Sequence, residues 1–409
     1  MTSRLTSLQA QDALFLLKNC FSTPKLLYIL RCGACYKSAV LSEYDGVIRD
    51  TLKIVLNVDL TDDIWRQATL PVSKGGLGVR LASDLALPAF LSSVNGASEL
   101  TLQLLPTRLH AVSSIRDPAY IVANLEWQQR STVVVPDESK IGVQKAWDTP
   151  LVSRKLEEVL SAAQTQVGRA RLIAAAAPHS GDFLHAIPCS AIGTRLDDTS
   201  FRIAVSLRLG ATMCAPHTCV CGAQVDCFGI HGLACRKSAG RHMRHNAVND
   251  LIKRALASAD IPALLEPKSL SRDDGKRPDG LTVLPWANGR CLVWDFTCPD
   301  TLAASHLNRA VVSPVLVAND AEDRKTVKYR TLAPLYNFTP IAVESLGALS
   351  DCATDFFQNL GQRISVATGE PQSSQFLFQR LSVAIQRGNA ACVVGNLPGS
   401  RGLENIFYI

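Results

Sequence analysis

The chain has 409 residues, of which 47% are hydrophobic and 19% charged, and it carries a formal net charge of +6. This composition excludes a disordered, collagen-like or acidic-tail protein, and at roughly 100–200 residues per domain the length suits about two to four domains. The mild basicity permits a nucleic-acid partner without requiring one, and no apolar run reaches the roughly 18 residues of a membrane span.

The N-terminal segment holds a short apolar stretch with no small-residue cleavage site behind it, so no export signal is predicted. The 13 cysteines are therefore expected to be mostly reduced thiols, and an odd count argues against a full disulfide framework. Residues 11–130 read as helical, because apolar residues recur at helical spacing over 13–30 and again over 38–56. The cluster Gly75-Gly76-Leu77-Gly78 lacks the spacing and the strand–helix context of a nucleotide loop, and it is read as a tight turn between helices. Residues 131–210, interrupted by Pro136, Pro150, Pro178 and Pro188, form a helical connector with no evident chemistry. Cys, His, Gly and Arg then crowd into 211–246, followed by strand-like runs over 280–297 and helical patterns over 312–333 and 351–387. The expected organisation is a helical region (1–130), a linker (131–210), a zinc knuckle with a basic segment (211–246) and an α/β domain (247–409).

Cys219 and Cys221 are followed after a loop by His231 and Cys235. Thiolate and imidazole are the ligands a tetrahedral zinc prefers, and a Cys3His set leaves no vacant position, so such a zinc would be structural. Cys214, His217 and Cys227 are further ligand candidates nearby. The alternative is a cluster of reduced, buried thiols. Directly after Cys235 comes a basic segment, Arg236, Lys237, Arg241 and Arg244, flanked by His242 and His245. It suits a phosphate grip or, alternatively, a solvated charged face.

Two apolar runs flank Pro285, Asn288 and Gly289, a hairpin signature. With the loop taken as 285–289, Asp279 and Asp295 lie equally far from it on either side, so the two carboxylates should meet at the open end. Asp295 sits within Val-Trp-Asp-Phe-Thr, a buried-strand pattern in which a carboxylate needs a cation or a proton. Two convergent Asp residues suit Mg2+ or Mn2+. Downstream, Lys325 and Lys328 share a helix face. Two carboxylates, a divalent metal and a lysine are the parts of a phosphodiester hydrolase.

The series Cys-x-Cys…His…Cys, Arg244-His245-Asn246, Arg277-Pro278-Asp279, Trp294-Asp295-Phe-Thr-Cys-Pro-Asp300 and Lys325-x-x-Lys328-Tyr329 resembles the C-terminal region of non-LTR retrotransposon proteins that carry a restriction-like endonuclease. The segments Asn19-Cys-Phe-Ser-Thr-Pro-Lys and Trp65-Arg-Gln-Ala-Thr-Leu-Pro look like the thumb and post-thumb of the accompanying polymerase. The resemblance implies a PD-(D/E)xK domain of restriction-endonuclease type, with a mixed central sheet flanked by helices. A zinc knuckle and a mainly α-helical N-terminal region would precede it. It implies that Asp279 and Asp295 bind the catalytic metal, with Thr297 where this class usually has its lysine. The lysine would then be displaced to Lys325 or Lys328, and Asp250 or Glu266 would supply a further acid. Phosphate contacts would come from Arg236, Lys237, Arg241, Arg244 and His245.

The paired aspartates Asp62-Asp63 and Asp273-Asp274 have neither the apolar strand nor the aromatic partner of a polymerase palm. A chain that does not synthesise DNA is therefore expected, a piece or a domesticated remnant of such an element. Two functions stand at this point. One is a metal-dependent DNA endonuclease that nicks target DNA; the other is an inactive, zinc-dependent nucleic-acid-binding remnant. Truncated thumbs would also expose apolar surface, so a partner-binding scaffold is a third. The implied partners are DNA and the element RNA, with no membrane and no small-molecule cofactor, and a nuclear location follows from the chromosomal substrate.

Overall fold

The computed structural model describes residues 2–106, 115, 117–134, 136, 138–270 and 277–398. Asp273, Asp274 and Lys276 lie outside the described residues. The chain divides into two compact units, one of 1–71 and 76–162 and one of 72–75 and 163–409. The division falls inside the stretch expected to be a connector.

The first unit is helical among its described residues. Helices α1 (Ala39–Leu56), α2 (Ala82–Leu104) and α3 (Gln144–Ala162) are its longest elements. Helix α1 ends at Asn57 in the left-handed conformation, φ 51°, a position Asn tolerates better than most residues. The core packs Trp127 edge-on to Trp147 with centroids 4.8 Å apart. Each indole N–H has a backbone acceptor, Trp147 O at 2.8 Å and Ile141 O at 2.7 Å, so these large rings are buried without an orphan donor. The glycine cluster is a turn between helices. The Gly78 amide donates to Leu70 O at 3.0 Å, and a Cβ at Gly76 would strike the Leu70 backbone.

The second unit is a mixed α/β structure. Helix α4 (Asp198–Leu209) precedes a two-stranded sheet of β1 (His217–Thr218) and β2 (Gln224–Val225). A four-stranded sheet follows, in the order β3 (Ala263–Leu265), β4 (Gly280–Ala287), β5 (Arg290–Thr297), β6 (Asn337–Ala342). Its first pairs are antiparallel and β5–β6 is parallel. A parallel neighbour requires a crossover, and here helix α6 (Leu316–Lys328) lies on that path. Helices α5 (Gly240–Ser258) and α7 (Asp351–Thr368) bury apolar faces on the sheet, and α8 (Ser373–Val394) packs against both of them in the same core. Val248, Leu251, Ile252 and Ala255 of α5 meet Leu292, Trp294 and Phe296 of β5 in that core. Among the described residues no helix is long and apolar enough to cross a membrane.

The β4–β5 hairpin turns on two residues, Asn288 and Gly289, with φ 50° and 71°. Positive φ at both central positions is what the right-handed twist of a two-residue hairpin asks for. The turn is thus shorter than the loop over 285–289 read from the sequence. Pro285 lies within β4, and two register irregularities flank it; lacking an N–H, proline is tolerated at such bulges. Beyond them Leu281 pairs with Val293 and Gly280 with Trp294. One residue further out, Asp279 arrives level with Asp295.

Gly280 lies beneath the Trp294 indole, in space that a Cβ would share with the ring. Trp294 is fully buried and its Nε1 donates to Asn249 Oδ1 at 2.9 Å, so it has no easy retreat. Gly280→Ala is expected to destabilise the unit by about 1–3 kcal/mol, the usual cost of overpacking. A denaturant titration would show the midpoint fall with the slope unchanged.

Candidate functional site

Two clusters of side chains in the second unit can carry chemistry. The first is Cys219, Cys221, His231 and Cys235, whose ligand atoms all lie within 4.8 Å of one another. Strands β1 and β2 form a small hairpin whose turn carries both leading cysteines, with Gly222 at φ +91°. The Cys219 amide donates to Ala223 O at 2.9 Å and closes that turn. His231 opens a short helix, His231–Ala234, and Cys235 ends it. Cys219 and Cys235 Sγ are 3.7 Å apart, and Cys221 Sγ is 3.2 Å from His231 Nε2. Zinc–sulfur bonds of about 2.3 Å in a tetrahedron set two sulfurs about 3.8 Å apart. The cluster could therefore hold a metal ion such as zinc.

Hydrogen bonds from the Ala223 backbone, then the Cys219 side chain, bring the Cys221 thiol down to about 6, while burial pushes Cys219 up to about 11. Of the other candidates, none joins the cluster: His217 bonds Ala215 O and Asn396 O through its two ring nitrogens at 2.9 and 3.0 Å, and Cys214 bonds Asp226 O at 3.4 Å. Lys237 donates to Val220 O at 3.2 Å and so belongs to the knuckle turn.

The second cluster gathers at the open end of the β4–β5 hairpin. The Asp279 amide donates to Trp294 O at 3.0 Å, and its Oδ2 accepts the Phe296 amide at 2.6 Å. Asp279 thus reaches across to the strand on which Asp295 sits. Asp295 is 3% exposed. Its Oδ1 accepts from the Tyr329 hydroxyl at 2.9 Å, and its Oδ2 has the Lys325 ammonium as counter-ion but no aligned hydrogen bond. The crossover explains this arrival: α6 runs back over the sheet and delivers Lys325 in its last turn, with Tyr329 just beyond.

Tyr329 is 1% exposed; its hydroxyl also lies 3.0 Å from Arg277 O and accepts from Lys328 Nζ at 2.8 Å. The Lys328 ammonium stands 4.3 Å from the Tyr329 ring centroid. The two lysines therefore have different neighbours, Lys325 the Asp295 carboxylate and Lys328 the tyrosine. Tyr329 entered the sequence reading only as the tail of a motif; its buried hydroxyl on Asp295 was not predicted.

His245 lies on α5, with Nε2 3.2 Å from Asp279 Oδ2 and Nδ1 3.3 Å from Asn249 Nδ2. An Nδ1 that accepts from Asn249 leaves the ring proton on Nε2, facing the carboxylate. Burial alone would lower the His245 pKa, but the hydrogen bond and charge of Asp279, aided by Asp295, raise it above the ordinary value. His245, expected on phosphates, thus faces a carboxylate. Arg244, also expected on phosphates, is 2% exposed and its Nη1 donates to Asn389 Oδ1 at 2.5 Å. Arg236 and Arg241 are exposed.

Neither candidate for a further acid joins the pair. Asp250 is bound to Arg254 one helical turn on, and Glu266 to Arg277. Thr297 is half-buried at the end of β5. Behind the site, Asp300 is buried and accepts Ser345 Oγ at 2.7 Å, and burial raises its pKa.

No protein-family model matches the chain, and no curated protein matches it in sequence.

Proposed function

We propose that the second unit is a metal-dependent DNA endonuclease of restriction-like fold, with a structural zinc knuckle beside it, of the kind carried by non-LTR retrotransposons. The observation that carries this reading is the convergence of Asp279, Asp295 and Lys325 at one end of the central sheet. The series of short motifs in the order of that family supports it further. A hard divalent cation fits the residues: both groups offer carboxylate oxygens, and the buried Asp295 Oδ2 lacks an aligned hydrogen bond. Asp279 and Asp295 would hold Mg2+ or Mn2+, whose chemistry is to stabilise phosphoryl charge and activate water.

The protein groups divide the remaining work. Tyr329 fixes the Asp295 carboxylate by donating to one oxygen, which leaves the other oxygen for a cation. Lys325 is placed to donate to the negative charge that builds on a phosphate under attack. His245, held by Asn249, orients Asp279. On this basis Lys325→Met should lower cleavage by about two to three orders of magnitude, whereas Lys328→Met should cost about tenfold or less through loss of one hydrogen bond to Tyr329. Single-turnover cleavage of a labelled duplex measures both. Equal losses would remove the assignment of Lys325.

One observation favours a second reading, a nucleic-acid-binding protein without catalysis: Asp295 already has a protein cation in Lys325. Binding of that kind survives chelation of divalent metal, and cleavage does not.

A further inference from the structure

A cavity of about 370 Å3 opens between the start of α5 and the end of β5. Arg236, Arg241, His242 and Arg244 line it, and Lys325 and His245 form its border with the carboxylate pair. No Asp or Glu lines it. The first turn of α5 faces it with no side-chain cap, so the positive end of a helix of 19 residues adds to the field.

Arg244 is the decisive residue. It is 2% exposed, yet its Nε has no hydrogen-bond partner, and among the described residues it forms no ion pair. The buried Asp300 carboxylate lies near enough to feel its charge, but a cation whose only counter-charge is not in contact remains costly to bury. The fold nevertheless makes room for it: the side chain lies on Gly388 of α8, in space that a Cβ there would occupy. A guanidinium held in this way, lining a cavity with no acid in its wall, matches the oxygens of a phosphate group.

We propose that this cavity is a phosphate subsite, which takes a backbone phosphate of the nucleic-acid strand neighbouring the one at Asp279 and Asp295. Arg244 forms its floor, and Arg236 and Arg241 form its rim. The placement beside the scissile group rests on the nuclease reading; the capture of a phosphate does not. Lys325, shared by the cavity and the carboxylate pair, links the two positions.

The test uses the full chain, zinc-loaded, with no divalent cation beyond that zinc. Inorganic phosphate is titrated against matched ionic strength in chloride, and the thermal midpoint is followed. Phosphate should raise the midpoint of the wild type in a saturable way. Arg241→Gln, an exposed rim position, should weaken that response about tenfold, as loss of one charge-assisted hydrogen bond implies, and Arg244→Gln should weaken it at least as much. Arg241→Gln keeps the test decisive if Arg244→Gln does not fold.

A short labelled single strand with a 5′-hydroxyl, whose phosphates are all internal, is then competed with phosphate. Mutual displacement supports a strand phosphate. Displacement only by a 5′-phosphorylated strand, or by none, overturns that placement. A midpoint no higher than in chloride, or equal in wild type and Arg241→Gln, overturns the subsite itself. Because no catalytic metal is present, a protein that binds phosphate in this way and never cleaves loses the reaction and keeps the subsite.

Discussion

Cys219→Ser and His231→Ala should each abolish stoichiometric zinc and unfold the knuckle. A short hairpin of two-residue strands and a helix of four residues has almost no core of its own. The buried cluster there is Cys219, Val225 and Cys235, and two of those three are candidate ligands. A zinc held by this cluster would supply that missing folding energy, since structural zinc binds with roughly 10–16 kcal/mol in small peptide sites at neutral pH. The consequence should extend beyond the knuckle. Gly232 and Gly240 lie against the backbone of α8 at Cys392, closer than any side chain would allow, and α5 starts immediately after the knuckle. Elemental analysis should find one zinc per wild-type chain and none in the variants, with a lower melting midpoint for the second unit. A variant that keeps both its zinc and its midpoint would remove the site.

The second large effect concerns the carboxylate pair. Asp295→Asn is nearly isosteric and can still accept from Tyr329, so the fold should hold. Cleavage should nevertheless fall by about two to three orders of magnitude or more, because a neutral amide neither holds a divalent cation nor balances Lys325. Asp295→Ala should also cost about 1–3 kcal/mol of stability, since it takes the counter-ion from the half-buried Lys325 and leaves the Tyr329 hydroxyl only Arg277 O as acceptor. Comparing the two variants in a melt and in a cleavage assay separates the chemistry from the fold.

Much of this site was legible in the sequence, for identifiable reasons. Ligand spacing singled out Cys219, Cys221, His231 and Cys235, and the structure brings these four together. Equal counting from the hairpin loop brought Asp279 level with Asp295, although the turn is shorter than the loop assumed. The bulges around Pro285 absorb the difference, and a period-2 pattern does not reveal where a bulge will fall. Counting along a strand also cannot say which helix returns to it, so the choice between Lys325 and Lys328 required the crossover.

Arg244 was more legible than the reading allowed. It stands four residues before Val248 and so extends the stripe of Val248, Leu251, Ile252 and Ala255 into the first turn of α5. A basic run was read by composition where helical period would have turned one member inward. The Tyr329 hydroxyl lay beyond reach for another reason: a tyrosine at a helix end is ordinary, and only the tertiary fold brings it 2.9 Å from Asp295.

The most direct test of the central claim is nicking of supercoiled plasmid by the full chain in magnesium or manganese, alongside Asp279→Ala and Asp295→Ala and a chelated control. The account predicts relaxed circles only with wild type and metal, while all three proteins shift DNA in a gel. Equal inertness of all three with the gel shift retained would contradict the nuclease and leave a binding protein.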